Sequence, residues 1–249
     1  MQLSIKRRLR EGKAAVGSWL QACDLPTALT MARSGYDWIG IDLEMVAASL
    51  EVLPELFANL SQAGVAPFAR VRASRDEQIQ GALRAGAEVV VLAGLDSREE
   101  LERGIGWATL APIRRPAELV VVAQIENVTQ VADLDQLLAV SGLDAALIEP
   151  DGLAESMALA GQFEHPDYVR TEESILRACR AGLVPSGIHV VRRDAATLRR
   201  RIAEGCQFIA YANDSLRLAS WVARNQLTPS PVRVFRESAA DEEPGLPLN

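Results

Sequence analysis

A chain of 249 residues, 49% hydrophobic and 24% charged, is long enough to bury a sizeable core as one globular unit. Its formal net charge of −7 and pI near 5.1 exclude a protein that grips nucleic acid by neutralising phosphates, which takes clustered Lys and Arg. No apolar run approaches the roughly eighteen residues that span a bilayer, so neither nucleic acid nor membrane is expected as a partner.

The N-terminal stretch Met1–Lys13 is basic at Lys6, Arg7, Arg8 and Arg10 but leads into no apolar segment of a targeting signal, so a cytoplasmic protein is expected. From there, short runs rich in Val, Ile and Ala alternate with longer segments of helical period, the pattern of repeated βα units around a buried parallel sheet. The pattern predicts strands over Ala15–Leu20, Trp38–Glu44, Pro67–Val71, Glu88–Leu92, Leu119–Ile125, Ala145–Glu149, Gly187–Val191 and Phe208–Ala212. Helical segments Pro26–Ser34, Leu50–Gln62, Arg75–Arg84 and Ala195–Ala203 stop at Gly35, Gly64, Gly86 and Gly205, each suited to a left-handed cap. Eight units predict a single-domain (β/α)8 barrel of the TIM type. An open doubly wound sheet would alternate in the same way, but no glycine-rich dinucleotide turn follows the first strand. The barrel is read over residues 1–236. Residues 237–249 (ESAADEEPGLPLN), acidic and aperiodic, read as a flexible C-terminal tail. Arg199–Arg201 reads as a solvated helix face, and the widely spaced Cys23, Cys179 and Cys206 as reduced structural thiols.

In such a barrel the site is built at the C-terminal ends of the strands, so polar residues there carry information. Asp42 and Glu44 alternate at the end of the second strand and, at period two, point the same way. Buried carboxylates need a partner, and Arg70 at the end of the third strand is a natural one. That pair is either a structural tie between strands or an arginine that holds a substrate oxyanion. Glu126, Glu149 and Asp151 follow the fifth and sixth strands; together they suit a hard divalent cation, or else they are solvated loop acids. Backbone N–H groups at Asp151-Gly152, where a helical segment opens, could receive a carboxylate or phosphate. His165 reads as a local hydrogen-bonder and His189, inside the seventh strand, as a satisfied interior histidine rather than a catalytic base.

From Ile5 to about Leu227 the chain resembles the HpcH/HpaI aldolase family of metal-dependent barrels, which make or break a C–C bond beside a pyruvate- or oxaloacetate-type enolate. The resemblance is carried by Gly17-Ser18-Trp19-Leu20, Gly35-Tyr36-Asp37-Trp38 running into Asp42-Leu43-Glu44, Arg70, Gln124-Ile125-Glu126, and Pro150 with Leu153. It implies that Arg70 polarises the keto oxygen, that Glu126 ligates a divalent metal (Mg²⁺, Mn²⁺ or Co²⁺), and that the protein forms a homo-oligomer. Asp42 and Glu44 join Arg70 as candidate catalytic residues. Gln124, Asp151 and Gly152 are candidate substrate contacts, and Asp151 and Glu149 candidate further metal ligands.

The chain departs from the family's pattern at its chemistry. Met45 stands at the histidine of D-x-E-H, and Arg84 at the acid that assists it. In the G-P-x-D-L-S segment this chain reads Glu149-Pro150-Asp151-Gly152-Leu153-Ala154, so Gly152 takes the second metal-ligand position. The loop before the fifth strand is reduced to Ala111–Glu118. Two functions fit: a lyase or condensing enzyme for a 2-oxo acid with the usual base lost, or a catalytically inactive barrel that binds a small acid or a partner protein.

Overall fold

The computed structural model describes residues 4–44, 50–111, 116–191 and 194–214. Met45, residues 112–115 and the predicted tail 237–249 lie outside them. Eight parallel strands close in sequence order: β1 (Ala15–Leu20), β2 (Trp38–Asp42), β3 (Ala66–Arg72), β4 (Val89–Ala93), β5 (Val120–Ile125), β6 (Ala145–Ile148), β7 (Ser186–Val190) and β8 (Phe208–Asn213). β8 pairs with β1, Ala15 opposite Phe208, so the sheet has no edge. The molecule is a (β/α)8 TIM barrel, and the eight predicted strands are its eight strands, with ends moved by one or two residues.

The helices in chain order are α1 (Ile5–Arg10), α2 (Leu25–Ala32), α3 (Leu53–Gln62), α4 (Asp76–Ala85), α5 (Arg98–Leu110), α6 (Val128–Ala132), α7 (Leu134–Leu138), α8 (Pro150–Ser156), α9 (Pro166–Ala181) and α10 (Ala195–Ala203). Their apolar faces and the outward faces of the strands form one continuous core. The cap expected at Gly86 is present at the end of α4, with φ at 112° and its N–H bonded to the Ala82 and Leu83 carbonyls. The run Arg199–Arg201 is not wholly solvated, since Arg201 folds back onto the buried carboxylate of Glu172. Among the described residues no helix is long and apolar enough to cross a membrane.

Inside the barrel, alternate residues of each strand stack in layers. The lower layers are apolar. The rings of Trp38, Phe68 and Phe208 lie within 4° of parallel, with centroids 4.5 to 5.4 Å apart. The neighbouring strand makes room for the indole, because a Cβ at Gly17 would sit 1.9 Å from Trp38 Cδ2. Trp19 packs edge-on above it at 5.3 Å. Two residues beyond Gly40, Phe68, Val122, Leu147 and Gly187, the same alternation delivers Asp42, Arg70, Gln124, Glu149 and His189 to the upper mouth.

Candidate active site

Arg70 is the centre of the mouth. Register places Asp42 of β2 directly beside it, and the pair is bidentate: Nε donates to Asp42 Oδ1 at 3.0 Å and Nη2 donates to Oδ2. Asp42 is fully buried, and this contact, with the Glu44 N–H donated to Oδ1 at 3.2 Å, makes its charge tolerable there. The guanidinium carbon lies 5.1 Å from the centroid of Trp19, a cation–π contact from below. Burial works against the Arg70 charge, yet the Asp42 hydrogen bonds and the charges of Asp42, Glu149 and Glu44 raise its pKa above the ordinary value. Of the two readings left open for Arg70, the structural tie is present along one edge of its fork. The Nε and Nη2 edge is the structural tie, and the Nη1 edge is turned to the mouth.

That edge meets Gln124 and Glu149. Nη1 donates to Gln124 Oε1 at 3.4 Å and lies 3.7 Å from Glu149 Oε2. Gln124 in turn donates from Nε2 to Glu126 Oε2 at 2.6 Å. Between an arginine that only donates and a carboxylate that only accepts, one orientation of the amide satisfies both. Gln124 therefore bridges Arg70 to Glu126, and the other carboxylate oxygen of Glu126 accepts from the Gly94 N–H at 2.6 Å. β2 stops at Asp42, so Glu44 lies in the following turn. It still faces the guanidinium, 3.9 Å from Arg70 Nε and 3.5 Å from Arg72 Nε. Burial, with the negative charges of Glu126 and Asp42 nearby, raises the Glu44 pKa against the pull of Arg70 and Arg72.

β6 also ends one residue early, at Ile148, and Glu149 becomes the N-cap of α8. Its Oε1 accepts from the Asp151 N–H at 3.4 Å, so a carboxylate of the chain itself already occupies the backbone site expected at Asp151-Gly152. Its Oε2 lies 3.0 Å from His189 Nδ1. Burial favours the neutral form of Glu149, but the hydrogen bond and charge of His189, the Arg70 charge and the Asp151 N–H together hold its pKa below the usual carboxylate range. His189 is not the satisfied interior histidine expected from its place in a strand. It is 8% exposed, and its Nε2 is buried without a hydrogen-bond partner among the described residues. His165 does bond locally, accepting from the Asp167 N–H at the start of α9.

The three acids proposed for a metal are not gathered into one donor set. Glu126 has both oxygens engaged by N–H donors, Glu149 is tied to His189 and Asp151, and Asp151 is exposed. Gly152 does face Glu126, since a Cβ there would sit 3.1 Å from Glu126 Cβ and 3.7 Å from its Oε2, but it brings no oxygen. Among the described residues no group of three or more His, Cys, Asp or Glu side chains is placed to hold a metal ion. The divalent cation that the resemblance implies does not fit this donor set. Instead the groups pair off: Arg70 with Asp42, Arg72 with Glu44, and Glu149 in hydrogen-bond contact with His189. Arg84, at the family's acid position, is exposed on α4 and bonds Gln80.

The fold and this layer define a barrel with a buried, pre-oriented arginine at its C-terminal mouth. The HpcH/HpaI aldolase/citrate lyase model matches residues 16–220, and the chain belongs to that family. It is 28% identical over 239 residues to a 2-keto-3-deoxy-L-rhamnonate aldolase of Escherichia coli (strain K12), covering 85% of this chain and 87% of that protein. It is likewise 28% identical to a hydroxypyruvate/pyruvate aldolase of Pseudomonas aeruginosa, over 84% and 86% of the two chains. Among solved structures, an HpcH/HpaI aldolase from Desulfitobacterium hafniense DCB-2 superposes with a TM-score of 0.82 at 26% identity, covering 90% of this chain and 95% of that one.

Proposed function

We propose that the mouth of this barrel binds a small 2-oxo acid and stabilises its enolate, which makes the chain a carbon–carbon lyase or condensing enzyme. The observation that carries the reading is the divided fork of Arg70. Asp42 fixes one edge, Trp19 supports the face, and the Nη1 edge is presented in a water-poor layer beside Gln124 and Glu149. A donor held in place before charge develops is worth far more than one that must reorient, commonly about 10²–10³ in rate. The substrate class comes from the relatives, whose names specify 2-keto acid and pyruvate aldolases. Asp42 positions the guanidinium, Gln124 keeps its second edge aligned, and Glu44 lies at the rim.

The test is oxalate, a planar mimic of a pyruvate enolate, with oxaloacetate as the reactive probe. Calorimetry should give oxalate binding that Arg70→Lys weakens about tenfold or more, because an ammonium keeps the charge but not the fork. Oxaloacetate makes the enolate by losing CO₂ and asks least of a base. Its decarboxylation should exceed the uncatalysed rate in the unmodified protein and fall to background in Arg70→Lys. Absence of oxalate binding, with or without Mn²⁺, refutes the reading. Binding without turnover of oxaloacetate favours the inactive barrel, for which Gly152 at the ligand position and Arg84 bonded to Gln80 are the supporting observations.

A further inference from the structure

We infer that His189 is the proton carrier of this site and Glu149 its positioning partner, an arrangement that rests on the Arg70 reading above. In the sequence Met45 and Arg84 stand where the family pattern has a histidine and its acid, and Arg84 lies on α4. The structure brings the same two residue types together at the ends of β6 and β7. His189 is interior-facing on β7: two residues earlier, a Cβ at Gly187 would strike the Phe208 carbonyl oxygen at 2.1 Å. Glu149 stands where the family pattern has glycine, and register brings it opposite His189, one step beyond the pair Ile148 and Ile188. The contact is Nδ1 to Oε2 at 3.0 Å, and the same Oε2 lies 3.7 Å from Arg70 Nη1. One carboxylate therefore separates the imidazole from the guanidinium.

The orphan atoms point to the same place. Four buried side-chain polar atoms have no partner among the described residues: Trp19 Nε1, His189 Nε2, Tyr168 Oη and Arg201 Nε. The first two lie on β1 and β7, and His189 also shares a crevice with Tyr168 of α9 and Arg201 of α10. Only β8 separates those strands, and the residue that register sets opposite His189 there is the small Ala210. An unpaired buried imidazole nitrogen costs stability unless a ligand completes it. A carboxylate oxygen at 3.0 Å from Nδ1 accepts the ring proton's hydrogen bond from that nitrogen, the tautomer in which Nε2 presents its lone pair.

The chemistry balances without any further reactant. Nε2 takes a proton from C3 of a bound 2-oxo acid, the C–H electron pair becomes the enolate, and its charge collects on the C2 oxygen against Arg70. The imidazolium, held by Glu149, returns a proton to C3 when the enolate reverts. His189 also lines a crevice of about 810 Å³ with Pro150, His165, Tyr168, Val191 and Asp194, which gives the ring a route for exchange with solvent.

Pyruvate in D₂O is the probe, because exchange of its methyl protons needs no aldehyde partner and is read by proton NMR. The unmodified protein should exchange them, and His189→Gln should slow exchange by about 10²–10⁴-fold while oxalate affinity stays within about threefold. Glu149→Gln should give a smaller loss. Because substitution in a strand risks the fold, a second measurement uses the unmodified protein. It has two histidines, and His165→Asn assigns the other in long-range proton–nitrogen spectra. His189 should show protonated Nδ1 and bare Nε2, the Nε2 signal should move with oxalate, and Glu149→Gln should mix the tautomers. Exchange by His189→Gln at the unmodified rate overturns the inference, as does an Nε2 signal indifferent to oxalate. Oxalate binding with no exchange by the unmodified protein removes the role of His189 and leaves the Arg70 reading standing. Absence of oxalate binding removes both.

Discussion

Low in the barrel, Trp38, Phe68 and Phe208 lie as parallel rings with Trp19 edge-on above them. Higher up, at the strand ends that open the mouth, the interior becomes ionic, with Asp42, Arg70, Gln124, Glu149 and His189 linked in one chain of contacts. One alternation builds both layers, but different forces hold them. The lower layer is stabilised by area removed from water and by ring geometry, so each side chain there contributes on its own. In the upper layer desolvation offsets most of the Coulombic gain, and each group is tolerated only because of its neighbour. The lower layer keeps the barrel folded, and the upper one adds little to that.

The largest effect should come from the lower layer. Trp38→Ala removes a fully buried indole that stacks on two rings and donates to the Ala15 carbonyl. Urea unfolding should show a loss of about 3–5 kcal/mol, while the folded protein keeps its oxalate affinity within about threefold. A large change in affinity would mean that the two layers are not separable. Next in size is Asp42→Ala, which strands a buried guanidinium and should cost about 3 kcal/mol. Replacing the pair together, Asp42→Leu with Arg70→Met, should restore stability to within about 1 kcal/mol of the unmodified protein while oxalate binding is lost. A double variant as unstable as the single one would make the ion pair a structural element.

The same contrast decides what could be read from the residues alone. The apolar runs of β1 to β8 announce themselves, since every one is bounded by turn or helix signals and faces the core on both sides. Asp42 and Arg70 were legible because charges inside adjacent apolar strands must find each other. The contact of His189 with Glu149 was not legible because the two are 40 residues apart. Their meeting depends on the register of β6 and β7, which no single strand carries. A signal was available: Glu149 follows Leu147, and His189 follows Gly187, by one interior step on neighbouring strands. The acids Glu126, Glu149 and Asp151 are dispersed for a related reason. Nearness along the chain does not fix direction, and α8 turns Asp151 to solvent while Glu149 turns in.

The smallest predicted effect tests the upper layer from within, through the opposed titrations of two of its carboxylates. Glu149 has its folded pKa lowered, so its charged form is the one the fold favours. That contribution is complete above the unfolded carboxylate value, about 4.3, and is lost as pH falls through the lower folded value. Glu44 has its folded pKa raised by burial and by neighbouring acids. Its ionisation opposes folding at neutral pH, and the penalty fades as pH drops through the folded value toward about 4.3. Glu149→Gln should therefore lower Tm at pH 7 and Glu44→Gln should raise it, each by the equivalent of about 1 kcal/mol or less, since Gln keeps the shape and part of the bonding. Melting curves taken from pH 3 to pH 8 should show both differences shrinking toward the acid end. If the two variants shift Tm in the same direction, the pairing of Glu149 with His189 and Arg70 is no stronger than the crowding at Glu44, and the upper layer is a set of tolerated acids rather than an organised site.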